Sequence, residues 1–212
     1  MCVYTPMSIR SDSIPFVLPL AVVTVLLIAI GSSAAIVAGL VTVLVTAFFR
    51  DPERISNAPA DVLVSPADGK VLSVAQLEDG QSAITIFLSV FDAHVARSPA
   101  SGMLTEMIPR GGGFAAAFSE KADRNARVEM QIRTPHGRVG VTLFAGLVAR
   151  RVLPWVTAPT TLRRGQRLAI IRFGSRSRVT LPSRYVATVQ KGDRVQAGAT
   201  PIARTTAEHA NP

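Results

Sequence analysis

Cysteine is almost absent: Cys2 is the only one in 212 residues. A lone thiol excludes a disulfide framework, a cysteine-based zinc site and a CxxC redox pair. Histidine is scarce as well (His94, His136 and His209), so a histidine-rich centre is also excluded and no metal is expected. Charged residues make up only 17% of the chain, against roughly 25% in soluble domains. With a mean hydropathy of +0.33, part of the chain is expected to lie outside water. Acidic residues are the scarcer sign, 14 against 23 Lys and Arg, for a net charge of +9. The 48% hydrophobic content excludes disorder, and no heptad or Gly-X-Y period supports a coiled coil or collagen.

What is present is an apolar run, Ile14 to Phe49, of 36 residues without a charge. A bilayer core of about 30 Å takes roughly 20 helical residues, so the run is too long for one upright span. Gly31-Ser32-Ser33 interrupts it, leaving apolar halves of 17 and 16 residues, each about 25 Å long as helix. Arg10 precedes the run, Arg50 and Arg54 follow it, and the break carries no charge. The positive-inside rule then predicts a helical hairpin over 1–49 with both ends in the cytoplasm. A single tilted span would instead put the following domain outside. A cleaved signal peptide fits less well, because its apolar region runs only about 7–15 residues.

Arg10 and Asp12 cancel, so the whole net charge sits on residues 50–212, with 22 basic and 13 acidic groups. Such a domain suits nucleic acid or an anionic lipid surface. No RNA-binding aromatic signature or helix-turn-helix pattern is present. The adjoining hairpin favours the membrane, on its cytoplasmic face, and no nucleic-acid partner.

Residues 50–212 read mainly as short β-branched-rich strands: 62–64, 70–74, 83–88, 128–132, 139–144, 168–173, 178–181 and 185–189. Turn signals separate them at Ala67-Asp68-Gly69, Glu78-Asp79-Gly80, Pro135-His136-Gly137 and Lys191-Gly192-Asp193. This spacing predicts a mainly β fold, a barrel or sandwich rather than βαβ units. A weak internal echo links SPADGKVLSV (65–74) with VQKGDRVQAGATPIA (189–203). Both look like the hammerhead turns of biotinyl/lipoyl-type β-sandwiches, though without their modified lysine. Residues 110–127 read as a loop with one helical turn, and the tail from Thr205 as polar and disordered.

The segment with most chemical content is Ile170-Ile171-Arg172-Phe173-Gly174-Ser175-Arg176. Its bland meaning is a tight turn after a strand. Its sharper meaning is self-cleavage: a serine hydroxyl can attack its own preceding carbonyl when the backbone is held strained, and glycine permits such conformations. The resulting ester would split by β-elimination, and the new N-terminus would lose ammonia to become a pyruvoyl group.

FFRDPER (48–54), SPADGKV (65–71), FDAHVARSP (91–99), AGLVARRV (145–152) and IRFGSR (171–176) occur in this order. From residue 48 to about 203 the chain resembles the short form of phosphatidylserine decarboxylase, a pyruvoyl-dependent proenzyme. The resemblance implies cleavage between Gly174 and Ser175, giving chains of 1–174 and 175–212 that stay together as a heterodimer. It implies a covalent pyruvoyl cofactor derived from Ser175 and decarboxylation of phosphatidylserine to phosphatidylethanolamine. His94 is then the candidate general acid, since the task needs a donor titrating near neutrality. A lone histidine is otherwise more often structural. Asp68 would orient or charge a base for self-cleavage, or simply serve an Asp-Gly turn.

An anionic lipid head calls for arginines, and Arg97, Arg150, Arg151 and Arg172 fall in family-like segments; solvated surface charge is their plainer reading. Gly111-Gly112-Gly113 suits either a phosphate cradle or a flexible lid, and Trp155 either an interfacial anchor or core packing. Three positions depart from the family pattern: Ala126 where a glutamate is usual, Leu143 where a glutamine is common, and Arg178 where an acidic residue is usual. They bear on head-group specificity more than on the chemistry. Two rival readings remain: a non-enzymatic membrane-tethered β scaffold, and a decarboxylase of another serine-headed lipid.

Overall fold

The structure is a computed structural model that describes residues 8–9, 11–77, 80–115, 119–146, 151–171 and 175–206. It divides into two compact units, Met1–Glu53 and Arg54–Pro212.

The first unit is a helical hairpin. Strand β1 (Ser8–Ile9) and a 3-10 turn lead into helix α1 (Ile14–Ala29), and helix α2 (Ala34–Phe48) runs into strand β2 (Arg50–Asp51). Proline lies in the first turn of α1, where its missing N–H removes no helical bond. Gly31, at φ 69°, takes the left-handed conformation that ends α1. The two helices return antiparallel: Phe16 stacks on Phe49 with centroids 5.5 Å apart, and β1 pairs with β2. Thr42 and Thr46 donate to the carbonyls of Ala38 and Thr42, and the Thr24 and Thr42 hydroxyls meet at 3.1 Å. Such bonds satisfy hydroxyls in apolar surroundings. The stretch Ser11–Ala29 is long and apolar enough to cross a membrane, whereas α2 is shorter. At about 1.5 Å per residue, the helices measure about 24 and 22 Å.

The second unit is mainly β. In chain order its strands are β3 (Val62–Val64), β4 (Gly69–Gln76), β5 (Ser82–Leu88), β6 (Val95–Arg97), β7 (Gly102–Arg110), β8 (Arg127–Thr134) and β9 (Gly137–Phe144). Then come β10 (Val152–Pro154), β11 (Thr160–Leu162), β12 (Arg167–Ile171), β13 (Ser175–Leu181), β14 (Tyr185–Ala187), β15 (Arg194–Val195) and β16 (Pro201–Thr205). An eight-stranded sheet has the order β11-β7-β8-β9-β13-β5-β4-β15, and two three-stranded sheets run β10-β12-β6 and β14-β16-β3. Their common core includes Leu63, Ile84, Ile86, Ile132, Val141, Leu143, Leu168, Val179 and Ile202, all fully buried.

The predicted strands recur, several with longer bounds, while the one expected over 185–189 ends at Ala187. β6, β7, β10, β11, β15 and β16 were not expected as strands from the sequence. The strand expected over 168–173 is described only to Ile171, and Glu78 and Asp79 of one predicted turn lie outside the described residues. The loop expected over 110–127 contains one short 3-10 turn, Glu120–Arg124. The two echoing segments clasp each other. Val71 N and Gly192 N bond to Asp193 O and Val71 O, while Ser65 N and Gly198 N bond to Thr200 O and Ser65 O. Gly69 (φ 147°) permits the close approach of β4 to β5, because a Cβ there would stand 2.0 Å from Phe87 O.

Candidate functional site

Three chain passages between sheets gather at one corner. β5 ends at Leu88 and β6 begins at Val95; β9 ends at Phe144 and β10 begins at Val152; β12 ends at Ile171 and β13 begins at Ser175. The order β9-β13-β5 in one sheet continues as β10-β12-β6 in the other. The same order of three strands thus changes sheet at one place, called the bend below, with β12 and β13 as the middle pair; residues 147–150 and 172–174 lie outside the described residues. The register fixes both sides of the bend. Ser175 pairs with Leu88 and Arg176 with Phe144, while Ile171 pairs with Val152 and Ile170 with Val95. His94 lies on the flank of this middle strand, its carbonyl accepting from Ile171 N at 3.0 Å.

Strand alternation puts Ser175, Ser177, Val179 and Leu181 on the core face of β13, and Arg176, Arg178 and Thr180 on the other. Ser175 is fully buried and its Oγ has no hydrogen-bond partner among the described residues; Ser177 Oγ is in the same state. A buried polar group left so costs about 1–3 kcal/mol, which a fold retains where the group has work to do.

His94 is fully buried. Its Nδ1 stands 2.8 Å from the Asp92 carbonyl oxygen. That oxygen only accepts, so Nδ1 carries a proton, and Nε2 is the other ring nitrogen able to exchange one. The turn before it is braced: Asp92 Oδ2 accepts from Ser89 N and Ser89 Oγ, both at 2.8 Å, and Asp92 N donates to Ser89 O at 3.0 Å.

Asp68 immediately precedes β4, at the same end of the eight-stranded sheet as Ser175 and with β5 between them, about 10 Å of sheet away. Its carboxylate accepts from Arg54 Nη2 at 3.0 Å and from Ala197 N at 2.7 Å. Arg54 also donates to Gln196 Oε1 at 2.6 Å. Asp68 thus locks the clasp between the echoing segments.

The four candidate arginines separate. Arg97 is buried and donates from Nη1 to Gly165 O at 3.0 Å, bracing the turn before β12. Arg151 is exposed, beside Val152 at the bend. Arg150 and Arg172, like Gly174, lie outside the described residues.

The sequence reading missed a cluster on the outer face of β13. Arg176 and Arg178 both donate to Asp123 Oδ1 at 2.5 Å, and their guanidiniums lie 4.7 and 5.5 Å from the Phe144 ring centroid. Burial pulls the Arg176 pKa down, while the Asp123 charge pulls it back up. The available signal was alternation: a residue after an inward serine in a strand must face outward. Asn125 was missed too. It exchanges hydrogen bonds with Ala115 N and O at 2.7 and 2.8 Å and donates to Ala145 O at 2.9 Å, tying the loop before β8 to the start of the 145–151 passage.

That contact also explains part of the glycine run, since a Cβ on Gly112 would stand 2.3 Å from Arg124 O. Of the three departures, Ala126 bridges Gly113 O and Ala145 N through its backbone, Leu143 pairs with Ser177 in the core, and Arg178 shares Asp123 with Arg176. Among the described residues no group of three or more metal-ligating side chains occurs.

Comparison with known proteins gives this arrangement its context. The sequence pattern described as phosphatidylserine decarboxylase matches residues 41–203. A protein of Methanosarcina mazei, named as a proposed archaetidylserine decarboxylase proenzyme, is 41% identical over 162 residues, covering 76% of this chain and 76% of that relative. A protein of Methanosarcina acetivorans with the same name is 41% identical over 156 residues, covering 74% of this chain and 73% of that relative.

Proposed function

The chain belongs to the phosphatidylserine decarboxylase family, and from that premise we propose that it cuts itself between Gly174 and Ser175 and decarboxylates a phospholipid with a phosphoserine head. Membership makes it a pyruvoyl-dependent decarboxylase proenzyme of phospholipid biosynthesis, with a prosthetic group made from a serine. The observation that carries the assignment to Ser175 is its buried hydroxyl without a hydrogen-bond partner among the described residues, at the start of β13 and one strand from the His94 passage.

The self-cleavage balances within the chain. Ser175 Oγ attacks the Gly174 carbonyl carbon, the C–N bond breaks, and an ester forms with the Ser175 nitrogen as a free amine. Loss of the Ser175 α-proton expels the Gly174 carboxylate. The dehydroalanine left at position 175 takes up water and releases ammonia, leaving the keto-acyl terminus. Sealing the hydroxyl from water favours this route over plain hydrolysis. We assign Asp68 a positioning part: held by Arg54 and Ala197, it fixes the end of β4 against β5 and so the strand that pairs with Ser175.

When present, the pyruvoyl group supplies an electrophilic carbonyl that engages the substrate amine and takes up the electron pair released with carbon dioxide. His94 holds and moves the proton. The Asp92 carbonyl keeps Nδ1 protonated, so Nε2 delivers its proton to the carbon that carbon dioxide leaves. Arg151, exposed at the bend, is the described arginine best suited to meet the anionic head; Arg150 and Arg172 are proposed alongside it. The hairpin holds the enzyme at the membrane with both ends cytoplasmic, in keeping with Arg10, Arg50 and Arg54 at its base.

Phosphatidylserine is the first reading of the substrate. Archaetidylserine is the second, favoured by the names of the Methanosarcina relatives. Both present the amine-adjacent carboxylate the chemistry demands, so turnover of each in competition decides between them. Self-cleavage is tested by Ser175→Ala. We expect one uncut 22.5 kDa chain that releases no carbon dioxide; a processed Ser175→Ala chain overturns the assignment.

A further inference from the structure

Val90 and Phe91 are exposed at 52% and 73%, and are the only sequence neighbours among the described residues of the β unit that are both large, apolar and exposed. They occupy the two central positions of the turn Ser89–Asp92, between Leu88, which pairs with Ser175, and His94, which is bonded to Ile171. The turn is tight, since Asp92 N returns to Ser89 O and the Asp92 carboxylate receives both Ser89 N and Ser89 Oγ. Its apolar tip is therefore held outward by polar bonds beneath it. Cations surround this end of the sheet. Arg194, 78% exposed, lies 3.6 Å from Asp92; exposed Lys70 pairs with both Arg194 and Phe87; exposed Arg151 stands at the neighbouring passage.

We propose that the Val90-Phe91 tip is a membrane-inserting wedge of the β unit, which seats the candidate site on the headgroup layer of an anionic bilayer. An aromatic and a β-branched side chain held at a rigid tip recover apolar burial by entering the interface, while flanking Lys and Arg meet anionic lipid. The occupant is a lipid surface rather than a second copy of the chain because of the charge: exposed Lys70, Arg151 and Arg194 repel their own duplicates and complement anionic headgroups. A lipid substrate would then reach the buried corner without leaving the bilayer. The inference draws on the reading of a lipid substrate, but insertion is measurable without turnover.

The test uses the full chain in vesicles containing anionic phospholipid, with Phe91→Trp in a Trp155→Phe background. The introduced indole is expected to emit at shorter wavelength than in water and to be quenched by lipids brominated near the headgroup. Emission typical of water, or a blue shift that brominated lipids leave unquenched, overturns the proposal; the second result means that protein covers the tip. In a second arm, Phe91→Asp is expected to lower turnover of vesicle-borne lipid about tenfold while sparing a dispersed short-chain phosphoserine lipid. Equal loss on both substrates, or on neither, also overturns it. Absence of decarboxylase activity in the parent chain would sink the functional proposal and leave the fluorescence result standing on its own.

Discussion

Replacing Asp123 by Asn tests what would hold residue 175 in place once the chain is cut at the proposed position. Before cleavage the start of β13 is tethered covalently to β12. Afterwards it is a chain end, which frays unless it is pinned. Among the described side chains, one pin close to the proposed cut is Arg176, 95% buried, over Phe144 and bonded to Asp123. Losing the carboxylate leaves two guanidiniums converging on one place with no counter-charge. Unit charges about 4 Å apart interact by about 4 kcal/mol at an effective dielectric of 20. Asp123 is half exposed, so screening leaves a loss of about 1–2 kcal/mol. For a unit of this size, that lowers Tm by about 2–8 °C. Thermal denaturation is compared in two backgrounds, the processed chain and the uncut Ser175→Ala chain. The full drop is expected in the processed protein and a smaller one in the uncut chain, with kcat falling about tenfold in the processed form. An identical Tm shift in both backgrounds with unchanged kcat refutes the reasoning and reduces Asp123 to a general stabiliser.

Gly69→Ala would force a Cβ to 2.0 Å from Phe87 O at φ 147°. The expected penalty is about 3 kcal/mol or more, or a Tm lower by about 6 °C or more. Calorimetry reads that drop, a gel reads impaired processing, and a fully stable, fully cut variant contradicts the close approach. His94→Gln is expected to lower turnover at least about 100-fold while the 38-residue chain of residues 175–212 still appears on a denaturing gel. Unchanged turnover removes His94 from the mechanism.

The sequence exposes those parts of the structure whose side chains alternate or break sharply. The hairpin declared itself through an uncharged run and one Gly-Ser-Ser break, and α1 and α2 end on either side of it. The paired motifs around Asp68 and Lys191 also pointed to each other, and they do clasp. β7 stayed hidden because only Leu104 of its nine residues is buried, so Glu106 and Pro109 blur any alternation. The first half of β13 stayed hidden for the opposite reason: Ser175, Arg176 and Ser177 are polar yet buried, and hydrophobic patterning is blind to them. The candidate residues Ser175 and His94 were legible as types. Their placement on adjoining stretches of the sheets was not, because it depends on β13 lying between β9 and β5, an order that no local pattern encodes.

That order also explains how a chain can be cut here and remain folded. Among the described residues, ladder pairs flank the proposed scission on both sides, Ile171 with Val152 before it and Ser175 with Leu88 after it. The 175–212 fragment carries β13 to β16 and is threaded into the larger chain: β13 lies between β5 and β9, β15 along β4, and β16 along β3. Seven register pairs bind β13 to β5 and five bind it to β9. Its Val179 and Leu181, with Ile202 of β16, are fully buried in the common core. Pulling this fragment out would expose that core and leave the backbone groups of a central strand and its neighbours unpaired, so separation amounts to unfolding. The proposed cut would then change only the covalent freedom of the two new chain ends, and one of these is the terminus a serine needs to become a reactive keto-acyl group while its partners stay where the fold put them.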